Sequence, residues 1–510
     1  MASSSIIKLA MQRLNEFPAT LWVLSGTLLF FLVSQLFAGR KPLPKGAPPR
    51  IKPGAGDWPI LGSLRFYFDR QKFVLSHIAE SVTGNFSFYF GKHHIVGLGG
   101  PEGKKTFFES KQLDMSEGYQ VLFTGTPTLE TDKNDEPIGV WFTRTLSAMI
   151  KADGLSNNLS SLVEATHTLL ERNAPKKGEE RVMDPFDDIY RLVYNLTMRT
   201  VGAAEIYRSP ELMEKTLGWF EKLQNASAVQ IIFPWMPTFA DLSRVYAGAR
   251  VFYLLKSLME DRKKAGRREQ DALQHLIDTG NGDIKKVISL VLGSLFAGQL
   301  NSGINAAYEL CWLAITPEWY QRVQEEVDGV VGKHRQSPEQ SAAEVLSTLT
   351  LREWEASFPT IDMCQRETIR HHMTGTAFRK NVGDDLPIGK TGEIIPKGSF
   401  AVYHLDDLHF NPEYYPEPEK WNPGRFLPEY EGTSPPLPFV GWGTGRHPCV
   451  GMKFAKLEMY IIVAMFASMF DYTLENGNGM PLKDVPPIDR SKHGSCKPPT
   501  PLRLRYKLRS

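Results

Sequence analysis

Apolar residues recur three and four positions apart through much of the middle of this 510-residue chain, with charged residues between them. Such spacing places one apolar stripe along a helix, so it predicts amphipathic helices. These helices are predicted at residues 160–172, 184–201, 242–264 and 270–278. Shorter apolar runs predict strands, at residues 85–90, 95–98, 400–403 and 502–506. We therefore expect a mainly α fold with small β-sheets.

One long apolar helix is predicted from Lys285 to Thr316, because Pro317 halts the pattern there. It contains glycines, each of which costs about 1 kcal/mol relative to alanine in a helix. They are Gly293, Gly298 and Gly303. It also carries polar side chains that are costly to bury without partners, namely Gln299, Asn301, Ser302 and Asn305. Both features predict that a ligand lies against this helix.

The amino terminus has the pattern of a membrane anchor. No charge lies between Glu16 and Arg40, and the apolar core at 21–37 approaches the ~20 residues that span a bilayer. We predict a short amphipathic leader at 1–18, a transmembrane anchor at 19–39, a proline-rich basic hinge at 40–57 and one large domain at 58–510. A cleaved signal peptide is the alternative, but the segment is long for one. Basic residues are more numerous after the segment than before it, which places the large domain in the cytoplasm.

Composition narrows the class of protein. The net charge is only +2, which argues against nucleic acid as a partner. No Gly/Ser linker or internal repeat divides the chain after residue 57, so we expect one domain there. The cysteines are too few and too scattered for a disulfide framework and suit a reducing compartment. They are Cys311, Cys364, Cys449 and Cys496.

One cysteine carries the strongest chemical signal. The segment from Phe439 to Gly451 surrounds Cys449 with glycines, which let a backbone turn tightly and lie close to a flat group. These glycines are Gly441, Gly443, Gly445 and Gly451. A helix is predicted to follow, and its N-terminus, with Arg446 and His447, is expected to lower the pKa of the thiol. A thiolate ligand of heme iron fits this setting best, and a buried structural cysteine is the alternative.

A second motif lies upstream. Glu367 and Arg370 are three residues apart at the end of a predicted helix, so they lie on one face and can pair. Alone, such a pair is most often a solvated surface pair. Here Arg379, a proline-rich element ending at Arg425 and the Cys449 loop follow in that order, which argues against coincidence.

With these motifs the chain resembles the cytochrome P450 superfamily, over nearly its whole length beyond the first fifty residues. It is most similar to membrane-anchored eukaryotic members of fungal type, and locally to the sterol 14-demethylase branch. Trp442 stands where phenylalanine is usual in the family, and Gly424 where glutamate is common. The resemblance implies the cytochrome P450 fold with an N-terminal transmembrane helix.

The resemblance also implies roles for the motif residues. Cys449 is expected to be the axial ligand of the heme iron. The other residues expected to bind the heme are Gly443, Gly445, Gly451, Arg379 and His447, the last two as partners of its propionates. The fold-stabilising triad is expected to be Glu367, Arg370 and Arg425. Residues 58–510 are then a heme-thiolate catalytic domain.

Monooxygenation is the reaction that this resemblance implies. It requires heme b, dioxygen and electrons from NADPH through a cytochrome P450 reductase. An apolar pocket beside a membrane anchor implies a lipophilic small-molecule substrate, such as a terpenoid, sterol, alkaloid or polyketide of secondary metabolism. The implied location is the endoplasmic reticulum membrane, with a single span and a cytoplasmic catalytic domain. No nucleic acid partner is expected.

The family's proton relay is altered in this chain. Where the family has an acid followed by a threonine, this sequence has Leu300 and Asn301. Asparagine can hold a water molecule but cannot donate a titratable proton. We expect an atypical relay through Gln299, Asn301 and Ser302. A heme-thiolate isomerase or dehydratase that needs neither dioxygen nor reductase is the alternative, and a non-catalytic membrane heme protein is a remote one.

Position along the chain predicts a substrate pocket above the heme. The residues expected to line it are Phe123, Phe296, Leu300, Met373 and Phe378. Ordinary core packing is an equally weighted alternative for each of them.

Overall fold

The computed structural model describes residues 41–52, 54–123, 138–224, 228–233, 235–236, 238–279, 283–431, 439–492 and 494–509, with isolated positions 26, 27, 30 and 34 before them. The predicted leader and nearly all of the predicted anchor lie outside these residues. The described part of the predicted hinge lies against a strand. Ile51 donates its N–H to the Ser87 carbonyl at 3.1 Å, and the Tyr89 hydroxyl donates to the Pro42 carbonyl at 2.9 Å.

Helices make up most of the described chain. Those before the central helix are Arg65–Phe68, Arg70–Glu80, Gly100–Glu109, Met115–Leu122, Ile138–Met149, Ala152–Arg172, Pro185–Val201, Ala204–Tyr207, Pro210–Leu223, Ala228–Ile232, Phe239–Ala265 and Ala272–Asp278. The central helix consists of Ile284–Gly298, the π turn Gln299–Gly303 and Ile304–Ile315. After it come Pro317–His334, Ala342–Ser347, Leu351–Ala356, Pro359–His372, Asp406–His409, Pro428–Glu431 and Met452–Met469, with a 3₁₀ turn at Pro423–Phe426.

The described strands form three small sheets. They are β1 Asp57–Trp58, β2 Gly62–Ser63, β3 Phe86–Phe90, β4 His93–Leu98, β5 Leu113–Asp114, β6 Glu180–Met183, β7 Thr376–Asn381, β8 Leu386–Pro387, β9 Ile394–Ile395, β10 Phe400–His404, β11 Phe470–Asn476 and β12 Leu502–Leu508. The largest sheet has the order β1-β2-β3-β4-β10-β7-β5, and the others are β11-β12-β6 and β8-β9. Within the largest sheet β10 pairs parallel with β4, with Phe400 opposite Ile95, and antiparallel with β7.

The central helix runs through the main hydrophobic core. Its apolar residues are buried all around the helix, with Leu290, Leu310 and Leu313 each 0% exposed. Burial on every side is typical of a helix enclosed by other helices. A separate aromatic cluster under the largest sheet includes Phe66, Phe88 and Phe378.

Among the described residues, Ile284–Ile315 is the one helix long and apolar enough to cross a membrane. It is largely buried inside the protein, so its hydrophobicity is that of a core helix.

The prediction of a mainly α fold with small sheets is confirmed. The helix predicted at 184–201 is Pro185–Val201, and Asp184 caps it by accepting a hydrogen bond from the Phe186 N–H at 2.9 Å. The helix predicted at 160–172 begins earlier, at Ala152. The prediction missed this start because the first two turns carry few apolar residues. Strand β6 was not predicted, because its residues are mostly exposed and only its pairing with β12 defines it.

Candidate active site

The segment around Cys449 is a tight loop that leads into a helix. The loop closes through a 2.7 Å hydrogen bond from the Cys449 N–H to the Trp442 carbonyl. Gly443 and Gly445 have φ of 70° and 62°, a region that residues with side chains rarely adopt. A Cβ on Gly445 would also collide with the carbonyl oxygen of Phe108. The turn therefore requires these two glycines.

Gly451 differs from the other two glycines. It precedes the helix Met452–Met469 with φ of −86°, and a Cβ built on it meets no atom within 4 Å. The protein around it does not require a glycine here. An open face next to Cys449 fits the close approach of a flat group.

The Cys449 thiol does not have the low pKa predicted from its neighbours. Its side chain has exposed surface within the loop, although protein atoms crowd it on most sides. Burial raises the pKa of the Cys449 thiol above its usual value, and a hydrogen bond with the Gly451 backbone opposes this only in part. The prediction is wrong for the free thiol, because the cost of desolvating a thiolate exceeds the effect of the helix N-terminus.

The fold brings Arg379 and His447 close together. Arg379 in β7 is buried, and its Nη1 donates to the Phe378 carbonyl at 2.8 Å. Its Nε has no hydrogen-bond partner within the described part of the chain. No described carboxylate forms an ion pair with this guanidinium. Burial lowers the pKa of His447, and the charge of Arg379 lowers it further. A buried guanidinium that has no direct ion pair with a described carboxylate, beside the cysteine loop, fits a heme propionate.

The donor atoms at this site suit heme better than a bare metal ion. Cys449 supplies one soft sulfur ligand, and a porphyrin supplies its own nitrogen ligands. Structural zinc needs four protein ligands. Among the described residues, no cluster of three or more His, Cys, Asp or Glu side chains could hold a metal ion.

Glu367, Arg370 and Arg425 meet in a buried network. Arg370 donates from Nε and Nη2 to the two carboxylate oxygens of Glu367, both at 2.8 Å, and both side chains are 0% exposed. Arg425 Nε donates to Glu367 Oε1 at 3.3 Å. The Asn422 N–H donates to the same oxygen at 2.9 Å. The pair is therefore bidentate and interior, unlike a solvated surface pair.

This network is connected to the cysteine loop through His409. Arg370 Nη1 donates to the His409 carbonyl at 2.6 Å. The imidazole Nε2 of His409 in turn accepts the Val440 N–H at 3.1 Å, at the start of the loop. Burial, with the charge of Arg370, lowers the pKa of His409 to about 3, so its ring is neutral and can accept. The position of the loop thus depends on the network.

The central helix widens into a π turn at Gln299–Gly303. Gly293 and Gly303 are explained by neighbouring side chains, since a Cβ at each would lie 2.7 Å from Phe142 and 3.2 Å from Tyr190, respectively. At Gly298 the nearest atom outside the helix is 4.0 Å away. Close packing against neighbouring side chains therefore accounts for Gly293 and Gly303, and only Gly298 has open space beside the helix.

The three residues predicted to move protons lie in different surroundings. Gln299 is 0% exposed and donates to the Tyr190 carbonyl at 2.6 Å, so it faces a neighbouring helix and its predicted place in the relay is wrong. Asn301 is partly exposed, and its Nδ2 donates back to the Ala297 carbonyl at 2.7 Å. Ser302 is buried against the helix Met452–Met469.

Glu458 is an acid next to this turn that the motifs did not reveal. It is 0% exposed, and neither carboxylate oxygen has a hydrogen-bond partner of normal geometry among the described residues. Burial raises the pKa of Glu458 to about 8, and the neighbouring Ser302 hydroxyl opposes the shift. The signal in the sequence is a lone acid within the apolar stretch of Met452–Met469. At neutral pH this carboxyl is mostly protonated.

A cavity of ≈520 Å³ lies beside the central helix. Phe123, Phe296 and Leu300 line it, as predicted from their positions. Met373 is not part of its wall, and Phe378 is 0% exposed within the aromatic cluster. The assignment of Phe378 to the pocket is wrong, because its ring packs against Phe66 and Tyr119 instead. The half-buried Met373 stays a prediction.

Comparison with known proteins gives a consistent result. The sequence profile of the cytochrome P450 family matches residues 52–505. The chain is 30% identical over 469 residues to cytochrome P450 monooxygenase AacuE of Aspergillus aculeatus, covering 90% of this chain and 92% of that protein. It is 31% identical to cytochrome P450 monooxygenase dmxR5 of Cryptosporiopsis sp., covering 83% of this chain and 86% of that protein.

More distant relatives include the obtusifoliol 14-alpha demethylase of Sorghum bicolor, which is 25% identical and covers 84% of this chain and 86% of its own. The predicted likeness to the sterol demethylase branch is therefore present but distant. The fold matches the solved structure of retinoic acid bound cyanobacterial CYP120A1 with a TM-score of 0.67 at 18% identity, over 92% of this chain and 100% of the other.

The first prediction concerns the cysteine loop. Gly445→Ala should lower the free energy of unfolding by roughly 1–3 kcal/mol, because it strains the left-handed backbone and collides with Phe108. Gly451→Ala is the matched control and should change it by less than about 0.5 kcal/mol. Equilibrium denaturation of both variants measures this. Equal losses in the two variants would contradict the role given to the turn.

The second prediction concerns pH. Because the folded pKa of His409 is about 3, below the ~6.5 of an unfolded histidine, the unfolded chain binds this proton first. Stability should therefore fall as pH drops from about 6.5 toward 3. His409→Gln keeps an acceptor for the Val440 N–H but does not titrate, so its loss of stability over this window should be smaller. The exposed His275→Gln controls for the substitution itself. A wild-type pH slope in His409→Gln would refute the prediction.

Proposed function

Because the chain belongs to the cytochrome P450 family, we propose that it is a monooxygenase of a lipophilic small molecule in fungal-type secondary metabolism. Its curated relatives of about 30% identity are named as cytochrome P450 monooxygenases. The observation that carries the proposal is the tight glycine loop that presents Cys449. A cavity against the central helix, lined by Phe123, Phe296 and Leu300, supports it. In this proposal the substrate is a terpenoid, sterol, alkaloid or polyketide.

Heme b is the proposed cofactor, and when bound through a thiolate it supplies the activation of dioxygen with electrons from NADPH through a reductase. Cys449 holds the iron. The Arg379 guanidinium, which has no ion pair with a described carboxylate, and the neutral His447 ring as a hydrogen-bond donor would hold the propionates. Gly443 and Gly445 keep the loop tight enough for the ring to lie against it.

Proton supply is proposed to come from a different helix than in the family pattern. Leu300 occupies the usual position of the acid and cannot hold a proton. The Glu458 carboxyl, protonated at neutral pH, holds one behind the π turn. The Ser302 hydroxyl accepts this proton while it donates its own to a water molecule held by Asn301, and the Glu458 carboxylate then takes up a proton from solvent water. Asn301 holds a hydrogen-bonded water in place but does not titrate.

The missing acid and alcohol also favour a second candidate, a heme-thiolate isomerase or dehydratase that needs no reductase. The named relatives weigh against it, since they are monooxygenases. A non-catalytic membrane heme protein is the third candidate. Dependence on reductase, NADPH and dioxygen separates the three.

Membrane attachment through residues 19–39 completes the proposal. These residues lie almost wholly outside the described part of the chain, so the support is their uncharged, apolar sequence. We place the catalytic domain on the cytoplasmic side of the endoplasmic reticulum membrane, where a reductase can reach it.

The third prediction tests the function itself. The heme-loaded protein should oxidise a lipophilic substrate only when reductase, NADPH and dioxygen are all present. Cys449→Ser should abolish both turnover and the red-shifted absorption band of the ferrous carbon monoxide complex, because serine cannot supply the thiolate. Product formation without reductase and dioxygen would contradict the monooxygenase assignment and support the isomerase or dehydratase. A red-shifted band in Cys449→Ser would refute the heme ligand.

The fourth prediction tests the proton supply. Glu458→Gln should lower product formation per NADPH, by up to about 10²-fold, and raise peroxide release, because an amide cannot donate the proton. Glu309→Gln is a matched control, since Glu309 is also 0% exposed with two unpaired oxygens but lies further along the central helix. It should keep normal coupling. Normal coupling in Glu458→Gln as well would reduce Glu458 to a packing residue.

The same variant has a readout in stability. The folded pKa of Glu458, about 8, lies above the ~4.3 of an unfolded glutamate, so the unfolded chain releases this proton first. The stability that the neutral carboxyl contributes is therefore lost as pH rises from about 4 to 8. Glu458→Gln should show less of this loss in thermal unfolding. This readout does not depend on turnover.

A further inference from the structure

Arg70 is a buried cation in the wall of the cavity beside the central helix. It is 6% exposed and begins the helix Arg70–Glu80. Its Nε donates to the Phe66 carbonyl at 3.1 Å, and its terminal nitrogens donate no hydrogen bond to any described residue. Burial lowers the pKa of Arg70 to about 10, so the guanidinium is still charged at neutral pH.

Aromatic rings lie around this guanidinium, at positions where a buried arginine usually has carboxylate partners. Its central carbon lies 5.3 Å from the Phe66 ring, 5.9 Å from Tyr67 and 5.5 Å from Phe378. Cation–π contacts of this kind are each worth about 0.5–2 kcal/mol. Several kcal/mol are needed to offset the desolvation of a buried ion. The rings offset this cost only in part, and they leave the terminal nitrogens available.

The other buried arginines show what is unusual here. Four arginines are buried among the described residues: Arg70, Arg262, Arg370 and Arg379. Arg262 pairs with Glu205 and Asp271, and Arg370 pairs with Glu367. Arg379 and Arg70 have no ion pair with a described carboxylate. Arg379 lies beside the cysteine loop, where an anionic group of the cofactor is expected, and Arg70 lies in the cavity wall.

The rest of the wall separates an apolar interior from a charged mouth. The interior residues include Leu122, Phe123, Phe296, Leu300 and Ile304. The other charged residues of the wall are all exposed, with both signs present: Glu221, Asp489, Lys492 and Lys497. Arg70 is therefore the one buried charge in this wall. A molecule that enters meets a fixed positive group with apolar surface around it.

We propose that Arg70 is a specificity-determining residue that binds an acidic oxygen group of the substrate, either a carboxylate or an ionised phenol. Its planar fork matches two acceptor oxygens, and a hydrogen bond between ions is stronger when water is excluded. The apolar interior then holds the rest of the molecule toward Phe296 and Leu300. This inference rests on the proposed function and narrows its substrate class to lipophilic acids.

The fifth prediction tests this by matched probes. Lauric acid with lauramide, and naphthoic acid with naphthamide, differ mainly in charge. Equilibrium dialysis against the heme-loaded full chain should give each acid about tenfold or more tighter binding than its amide, the gain expected from a hydrogen bond to a charged group. Arg70→Met should remove this preference, because methionine fills similar space without charge.

Two further variants keep the test decisive. Arg70→Lys retains the cation and should retain part of the preference. Lys492→Met removes an exposed cation at the mouth and should leave the preference intact. If no acid binds more tightly than its amide, or if Arg70→Met keeps the preference, the proposal is overturned.

The test also separates this proposal from the proposed function. A wild-type protein without the red-shifted carbon monoxide band would fail as a heme-thiolate enzyme. Dialysis measures binding rather than turnover, so the comparison of acid with amide still decides the role of Arg70. Conversely, normal turnover with no preference for acids would support the monooxygenase function and refute only the proposed role of Arg70.

Discussion

The buried ion pair between Glu367 and Arg370 is the interaction on which the cysteine loop depends. Taking two charges out of water is costly, and removing one partner of such a pair typically costs about 3–5 kcal/mol. Here the cost is offset because all three nitrogens of the Arg370 guanidinium donate hydrogen bonds, to Glu367 and to the carbonyls of His409 and Pro418. Through the His409 ring the same network holds Val440, where the loop begins. The network thus anchors the start of the loop that carries Cys449.

The π turn has an equally specific consequence for the central helix. It sends neighbouring side chains in three directions. Gln299 bonds to the helix Pro185–Val201, Leu300 faces the cavity, and Ser302 lies against Glu458. One short stretch therefore serves packing, substrate contact and the proposed proton supply. This arrangement offers a physical account of why a chain without the usual acid and alcohol can retain monooxygenase chemistry.

How far sequence could predict this site depends on whether a feature is local. The turn at Gly443 and Gly445 follows from conformational freedom within a few residues, so the loop was recognisable. The Glu367–Arg370 spacing follows from helix geometry, but its burial depends on residues around 409–425 packing over it. Gln299 was misassigned because periodicity shows that a polar residue belongs to a core helix. It does not show which neighbouring segment the side chain faces. Phe378 was misassigned for the same reason, since the Phe66 ring that it packs against comes from a distant segment.

By itself, the sequence determined the mainly helical class, the positions of several long helices and of four strands, the cysteine loop and the family, because these follow from short-range periodicity and motifs. Tertiary structure alone decided that Glu458 is buried beside Ser302 and that the thiol has a raised pKa. It also decided that Arg70 and Arg379 form no ion pair with a carboxylate in the described part of the chain. The reason is physical: desolvation and pairing depend on what other segments bring within a few ångströms, and no local pattern encodes which segments those are.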